Sequence, residues 1–237
     1  MSESFFLQDG RALVDLHTYL SRASRAVDGA VRLVAGSGVV AAYTAILYPR
    51  GLTDVMPTVL GLRTFATTPE TQFDVVVPIR SLSDRLARAR DISNVSEGTL
   101  TEDTESFSAN LHIGLPLPVA TVTWTAISPP RGGWRAVGGC NGELLMSVAR
   151  AGIAEVADAV PASSGDHLVH RVRSEVWSRP ISDLDYVPAG ESFSADDLGF
   201  LVSDDDTVTV FENGSWTRLT TQRGHVLVHR PAWSLRL

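Results

Sequence analysis

Tryptophan and arginine recur together in two stretches of the second half of the sequence. Arg131, Trp134 and Arg135 follow a Pro-Pro pair at a predicted hairpin tip, and Trp216 and Arg218 lie near the C-terminus. Because tryptophan and arginine dominate the binding energy of many protein–protein interfaces, these five residues form the predicted partner-binding site. The alternative, that the tryptophans fill the core with only their edges exposed, stays open from the sequence.

The single cysteine, Cys140, follows two glycines at a predicted strand-to-helix junction. A thiol at a helix N-terminus loses its proton more readily because the helix dipole is positive there, so a nucleophilic cysteine is one hypothesis. Such a nucleophile also needs a base, and no spacing connects His112, His167 or His170 to Cys140. Packing is therefore the preferred role of the thiol, and no residue is predicted to be catalytic.

The spacing of histidines and aspartates does not suit a metal ion. On a strand, His167 and His170 would point to opposite faces, and His225 and His229 would lie about 13 Å apart along one face. The three aspartates at 204–206 lack the glycine and the distal glutamate of a calcium loop. The sequence therefore predicts no metal site and no cofactor.

Composition excludes further classes of chemistry. All 20 basic residues are arginine, which excludes mechanisms that need lysine, such as the phosphate-binding P-loop and Schiff-base catalysis. The formal net charge of −7 argues against general nucleic-acid binding, because that affinity comes mainly from neutralised phosphates. With no signal-peptide pattern and no membrane-length apolar run, a soluble cytoplasmic protein without a membrane segment is expected.

The elements that must position these residues divide into two halves of related size, predicted as domains over residues 1–118 and 119–237. In the first half, an apolar stripe predicts a helix over 13–27, and a glycine-rich turn at 36–38 predicts a hairpin. Further strands and a short basic helix near 80–90 follow. The first half then ends in an irregular acidic linker over 91–118.

The second half opens with a predicted hairpin, whose first strand covers 119–127. A long helix over 143–160, with Asn141 as its N-cap, comes next. The alternating run 167–177 predicts a strand, with a helix as the alternative. Asn213-Gly214 predicts a tight turn in a C-terminal meander. Hairpin-connected strands segregated from helices are typical of an α+β protein, with antiparallel sheets and helices packed on one face.

Three stretches of the sequence resemble a family of uncharacterised actinobacterial proteins of unknown function. They are WTAISPPRGGW at 124–134, GSWTRL at 214–219 and RGHVL at 223–227. This resemblance implies lineage and no biochemical activity. The order of elements over 4–91 is also similar to one repeat of a DNA sliding clamp. Basic helices line the pore of such clamps, and the acidic long helix here departs from that pattern.

These patterns favour a non-enzymatic binding or scaffolding protein over an enzyme. Its expected partner is a protein or a second copy, with a homodimer formed at sheet edges over 207–212 or 225–230. The apolar tail residues Trp233, Leu235 and Leu237 are expected to dock. An enzyme of unrecognised type, a hydrolase or transferase with a cleft between the halves, is the alternative, and a sliding-clamp-like fold is a minor one. Nucleic acid is not an expected partner.

Overall fold

The computed structural model describes residues 4–26, 29–51, 54–97, 111–119, 122–161, 164–182 and 184–230. The chain divides into two compact units. Unit 1 comprises Met1–Thr44 and Arg63–Thr125, and unit 2 comprises Ala45–Leu62 and Ala126–Leu237. Helices coexist with antiparallel strand pairs in both units, which confirms the predicted α+β class. Within the described ranges, no helix is both long and apolar enough to cross a membrane.

Among its described residues, unit 1 contains two α-helices and two separate groups of paired antiparallel strands. Its elements are β1 (Ser4–Leu7), α1 (Gly10–Ala26), β2 (Ala30–Gly36), the start of β3 (Val39–Leu47), the end of β4 (Thr58–Ala66), β5 (Phe73–Pro78), α2 (Ile79–Glu97) and β6 (Leu111–Gly114). β2 pairs with β3 and with β5, and β1 pairs with β6. Ser37 and Gly38 have φ of 53° and 79°, which a tight hairpin turn requires, so the predicted hairpin is confirmed.

The first helix forms where the apolar stripe predicted it. The Asp9 side chain accepts a hydrogen bond from the Ala12 amide at 2.8 Å, which satisfies a free N–H at the start of α1. Tyr19 lies on the buried face of α1, and its hydroxyl lies 2.7 Å from the Thr44 hydroxyl on β3. Burial raises the pKa of Tyr19 far above its usual value. Val27, the last residue of the predicted stripe, lies outside the described residues.

The second helix is longer than the sequence analysis predicted. α2 continues to Glu97, so residues 91–97 are helical and do not belong to an irregular linker. The reason is local, because no glycine or proline interrupts the sequence from Ile79 to Glu97, and Gly98 follows directly. The remaining acidic residues of the predicted linker, over 98–110, lie outside the described part of the chain.

Among its described residues, unit 2 contains three α-helices and more paired strands than unit 1. With β4, its elements are β7 (Arg135–Asn141), α3 (Gly142–Ala159), α4 (Asp166–Ser178), β8 (Pro180–Ile181), β9 (Leu184–Pro188), α5 (Ala189–Asp197), β10 (Thr207–Asn213), β11 (Trp216–Thr220) and β12 (His225–His229). The strand order is β4-β12-β11-β10-β7, and all pairs are antiparallel. The predicted turn after Asn213 is confirmed, with Gly214 at φ 57°.

The predicted sheet edges are wrong in their position. β10 lies between β11 and β7, and β12 lies between β11 and β4, so neither is an edge strand. The edge of the unit 2 sheet is β7. The sequence pattern could not show this, because strand order depends on pairings between residues far apart in the chain. The tail residues expected to dock lie outside the described residues.

Two predicted strands have other structures. Thr123–Ala126 forms a single 3-10 turn, so the predicted hairpin of 119–127 with 134–137 is wrong. The Thr125 hydroxyl and amide both donate to the Val122 carbonyl, a local bonding pattern that competes with strand pairing. The run 167–177 forms α4 instead of a strand. It contains no glycine or proline, and its residues Ser174, Val176 and Trp177 are buried.

The long helix forms as predicted, and its buried side packs against the other two helices of unit 2. Asn141 caps α3, because its side-chain oxygen accepts from the Leu144 amide at 3.1 Å. The buried side of α3, which includes Leu145, Ala149 and Gly152, packs against α5 and α4. It is α5, not α3, that packs against β12. The three helices of unit 2 therefore pack on one another, and α5 contacts the sheet at β12.

Candidate functional site

The strands of the unit 2 sheet present two different faces. Val210 on β10, Leu219 on β11 and Val226 on β12 share one face and are buried in the core. The residues that alternate with them form the opposite face, called here the outer face. Its central members are Thr209, Phe211, Trp216, Arg218, Thr220, His225, Leu227 and His229. All of them except Trp216 and Leu227 are partly exposed.

Arg218 lies on the outer face and contacts two aromatic rings. The Arg218 guanidinium carbon lies 4.5 Å from the centroid of the Trp134 ring and 4.5 Å from that of the Phe211 ring. Phe211 is placed there because it lies directly opposite Arg218 in the β10–β11 register. Trp134, just before β7, is fixed by a hydrogen bond from its indole N–H to the Pro130 carbonyl at 3.0 Å. Such cation–π contacts attract the guanidinium to the faces of both rings.

The structure brings together only part of the predicted partner-binding set. Trp134 and Arg218 are in contact, whereas Trp216 is buried and lies 5.0 Å from His229, ring centroid to ring centroid. Arg131 is exposed on the turn. Arg135 is exposed and forms an ion pair with Glu212 at 3.4 Å. The role of these five residues in binding a partner stays a prediction.

Sequence reasoning considered the two outer-face histidines only as metal ligands, and it did not single out Phe211. Burial lowers the pKa of His225, and the nearby charge of Arg218 lowers it further. Burial also lowers the pKa of His229. Both imidazoles are therefore neutral at physiological pH. Phe211 could have been found by counting outward from the turn at Gly214, because a tight hairpin fixes which residues lie opposite each other.

The thiol of Cys140 is not activated. It lies on β7, half-buried, and burial together with the negative charge of Glu191 raises its pKa to about 11. The hypothesis that the dipole of the long helix makes this cysteine a thiolate is therefore wrong. Within the described ranges, no three histidine, cysteine or acidic residues are placed to bind a metal ion.

Glu191 is the most unusual acidic residue of unit 2. It lies in the first turn of α5 and is fully buried, and neither of its carboxyl oxygens has a hydrogen-bond partner among the described residues. Burial raises its pKa well above the usual value, and the charge of Arg230 opposes that shift. In the sequence, Glu191 belongs to an acidic run over 181–206, which suggests a solvated surface and gives no sign of burial.

A second polar cluster joins a loop to α4. Asp54 accepts hydrogen bonds from the Ser174 hydroxyl at 3.0 Å and from the amides of Arg50 at 2.8 Å and Met56 at 2.9 Å. The imidazole nitrogen Nε2 of His170 contacts the same carboxylate. Serine, histidine and aspartate are thus close together, but both side chains on α4 contact the aspartate. That arrangement does not activate a serine by a histidine base, so the cluster is a structural tie.

The Asp54 tie predicts a sensitivity to acid. Burial alone would raise the pKa of Asp54, but hydrogen bonds from His170, the Arg50 and Met56 amides and Ser174 lower it to about 2. A lowered carboxyl pKa stabilises the fold above the unfolded value of 3.8, and this contribution is lost as the pH falls towards 2. We expect Asp54→Asn to cost about 2 kcal/mol at pH 6. The difference between wild type and variant should shrink between pH 4 and pH 2.

Urea unfolding at several pH values measures this difference. Asp205→Asn is the matched control, because Asp205 is an exposed aspartate of the same unit. A wild type and an Asp54→Asn variant that lose stability in parallel as the pH falls would show that Asp54 does not contribute.

In a comparison with known protein families, each of two parts of the sequence matches a domain of unknown function. Residues 1–106 match the model of a domain of unknown function, DUF8010, and residues 129–233 match that of another, DUF8185. No curated protein matches the sequence. The expected resemblance to proteins of unknown function is confirmed at that level, and actinobacterial origin stays a prediction.

Solved structures of DNA polymerase sliding clamps are similar to this chain, at low sequence identity. DNA polymerase III subunit beta from Borrelia burgdorferi has 10% identity and a TM-score of 0.48, over 98% of this chain and 67% of that one. The clamp from Caulobacter crescentus has 10% identity and a TM-score of 0.48, over 98% and 66%. The clamp from Bacillus subtilis has 11% identity and a TM-score of 0.49, over 97% and 64%. The chain spans about two thirds of their length, and its two parts are similar to domains whose function is unknown.

Proposed function

We propose that the protein is a non-enzymatic binding protein whose partners are proteins, the first of them a second copy of itself. The exposed edge strand β7 is the observation that supports this proposal. Residues 135–139 are exposed, and no described strand pairs with the free side of β7. An edge strand leaves backbone N–H and C=O groups unpaired, and a strand from another chain can satisfy them.

The composition of β7 also favours contact with another backbone. A Cβ placed on Gly138 would have no atom within 4 Å, so open space surrounds this residue. The register with β10 passes over Val137, which forms a bulge and is 40% exposed. β7 has no proline, and its one charged residue, Arg135, pairs with Glu212 on the neighbouring strand β10. A two-fold axis beside β7 would pair the strand antiparallel with its copy, in the symmetry commonest among dimers.

Light scattering after size exclusion at micromolar concentration tests the dimer. The wild type should have twice the chain mass of 25.5 kDa. Val137→Lys should return the mass to that of one chain, because a lysine on an edge strand discourages pairing with another strand. Ile153→Lys on α3 is the matched control, since Ile153 is 45% exposed and lies on another element.

A wild type of single-chain mass would contradict the dimer. A dimer that Ile153→Lys dissociates and Val137→Lys leaves intact would contradict association through β7. Cytoplasmic location, the absence of catalysis and the absence of a nucleic-acid partner stay predictions.

A further inference from the structure

The outer face of unit 2 carries positive charge without any acidic residue among its strand positions. The positions on β10, β11 and β12 hold one arginine and two histidines, and the others are neutral. This is a departure from the chain as a whole, which has 27 acidic and 20 basic residues. A face of that composition is complementary to a negatively charged group on a partner.

Arg218 is arranged to receive such a group. Two aromatic rings flank its guanidinium, whose carbon lies 4.5 Å from the ring centroids of Trp134 and of Phe211, and its N–H groups form the planar fork that a carboxylate binds. No carboxylate of the described residues forms an ion pair with Arg218, and its Nε is buried without a hydrogen-bond partner. A guanidinium already restrained by two ring contacts loses less side-chain entropy when it binds a planar anion.

The charge of the site sets the class of anion. Arg218 provides one full positive charge, because its two histidine neighbours on the face are neutral at physiological pH. Binding to nucleic acid needs several cations that neutralise successive phosphates. A net charge of −7 also repels a polyanion. A single carboxylate therefore fits this site better, and the two aromatic rings offer apolar contact to the residues beside it.

We propose that the Trp134–Arg218–Phe211 stack binds one carboxylate side chain of an acidic and apolar segment in a partner protein. This inference rests on the proposed function, because it assumes that the partners are proteins, and it names the chemistry that selects them. The guanidinium edge donates two hydrogen bonds to the carboxylate. The rings of Trp134 and Phe211 contact the apolar side chains that flank it.

The indole N–H signal of Trp134 in a nitrogen–proton NMR spectrum provides the test, assigned with a Trp134→Phe variant. The probe is the peptide acetyl-Leu-Glu-Leu-amide, and the matched probe replaces glutamate with glutamine. We expect the glutamate peptide to shift the Trp134 signal in a saturable way. The glutamine peptide should require at least a tenfold higher concentration, because it lacks the charge.

Variants of the full chain show whether Arg218 is responsible. Arg218→Leu should abolish the shift, and Arg218→Lys should weaken binding at least tenfold, because an ammonium group lacks the planar fork. Arg150→Leu, at an exposed arginine of α3 outside the predicted partner-binding set, should bind as the wild type does. If Arg218→Leu fails to fold, Arg218→Lys decides the question alone.

Three outcomes would overturn the inference. They are equal binding of the two peptides, unchanged binding by Arg218→Lys, and tighter binding of inorganic phosphate or of a short DNA duplex at Trp134. The peptide titration on Val137→Lys separates this inference from the dimer. A wild type that is monomeric and binds the glutamate peptide would contradict the dimer alone, and a wild-type dimer that does not bind the peptide would contradict the carboxylate site alone.

Discussion

Gly152→Ala should destabilise unit 2 by about 2 kcal/mol, although alanine is the better helix former. A Cβ on Gly152 would lie 2.6 Å from the ring atom Cη2 of Trp177 and closer still to Cζ3. Trp177 is buried, and its ring is stacked on Phe193 with 4.6 Å between centroids, so it has no room to move. Overpacking costs about 1–3 kcal/mol, and so close a contact belongs at the upper end. The helix propensity of alanine returns about 1 kcal/mol.

Urea unfolding of single and double variants measures this cost. In a Trp177→Phe background the smaller ring leaves space, so Gly152→Ala should become neutral or stabilising there. The difference between the two backgrounds is the coupling energy of the contact. A Gly152→Ala variant as stable as the wild type would show that α3 and α4 can separate at no cost.

Glu191→Gln should stabilise the protein, and the gain should increase with pH. Burial raises the pKa of Glu191, with Arg230 acting in the opposite direction. A carboxyl with a raised pKa takes up a proton on folding, so its effect on stability is most favourable below the unfolded value of 4.5. As the pH rises above that value, wild-type stability should fall by about 1.4 kcal/mol per pH unit until the folded group itself ionises. Glutamine is nearly isosteric and cannot ionise, so the variant escapes this loss.

Unfolding curves of wild type and Glu191→Gln at pH 5, 6, 7 and 8 give the comparison. Glu175→Gln is the control, because Glu175 is 73% exposed and pairs with Arg179 at the surface. Its curve should follow that of the wild type. A constant difference between wild type and Glu191→Gln across the pH range would mean that Glu191 is already ionised in the folded protein, through the charge of Arg230.

The elements that the sequence predicts well are those with local signals. The stripe of α1, the turn at Ser37-Gly38 and the Asn141 cap each depend on residues within a few positions of one another. The run 167–177 misled because its alternation also fits a helix, and its packing against α3 and α5 decided between the two. Short apolar runs are ambiguous in this way.

The candidate site was only partly predictable, because its geometry depends on strand register and on burial. Trp134 and Arg218 stand out by residue type, but their contact requires β7 and β11 to lie on either side of β10. Phe211 enters through the register alone. Glu191 has no sequence signal at all, since an acidic residue within an acidic run is ordinarily exposed. Its burial results from the packing of α5 against α3 and β12.

Unit 2 is built from two separate stretches of chain, and this limits how it can be produced as a fragment. Residues 58–62 pair with β12, and Asp54 binds the α4 side chains Ser174 and His170. A fragment that starts at residue 119 would lack both, leaving β12 with an uncovered apolar edge and α4 without its polar tie. A fragment meant to isolate this part of the molecule therefore needs both stretches, Ala45–Leu62 and Ala126–Leu237, joined in one chain.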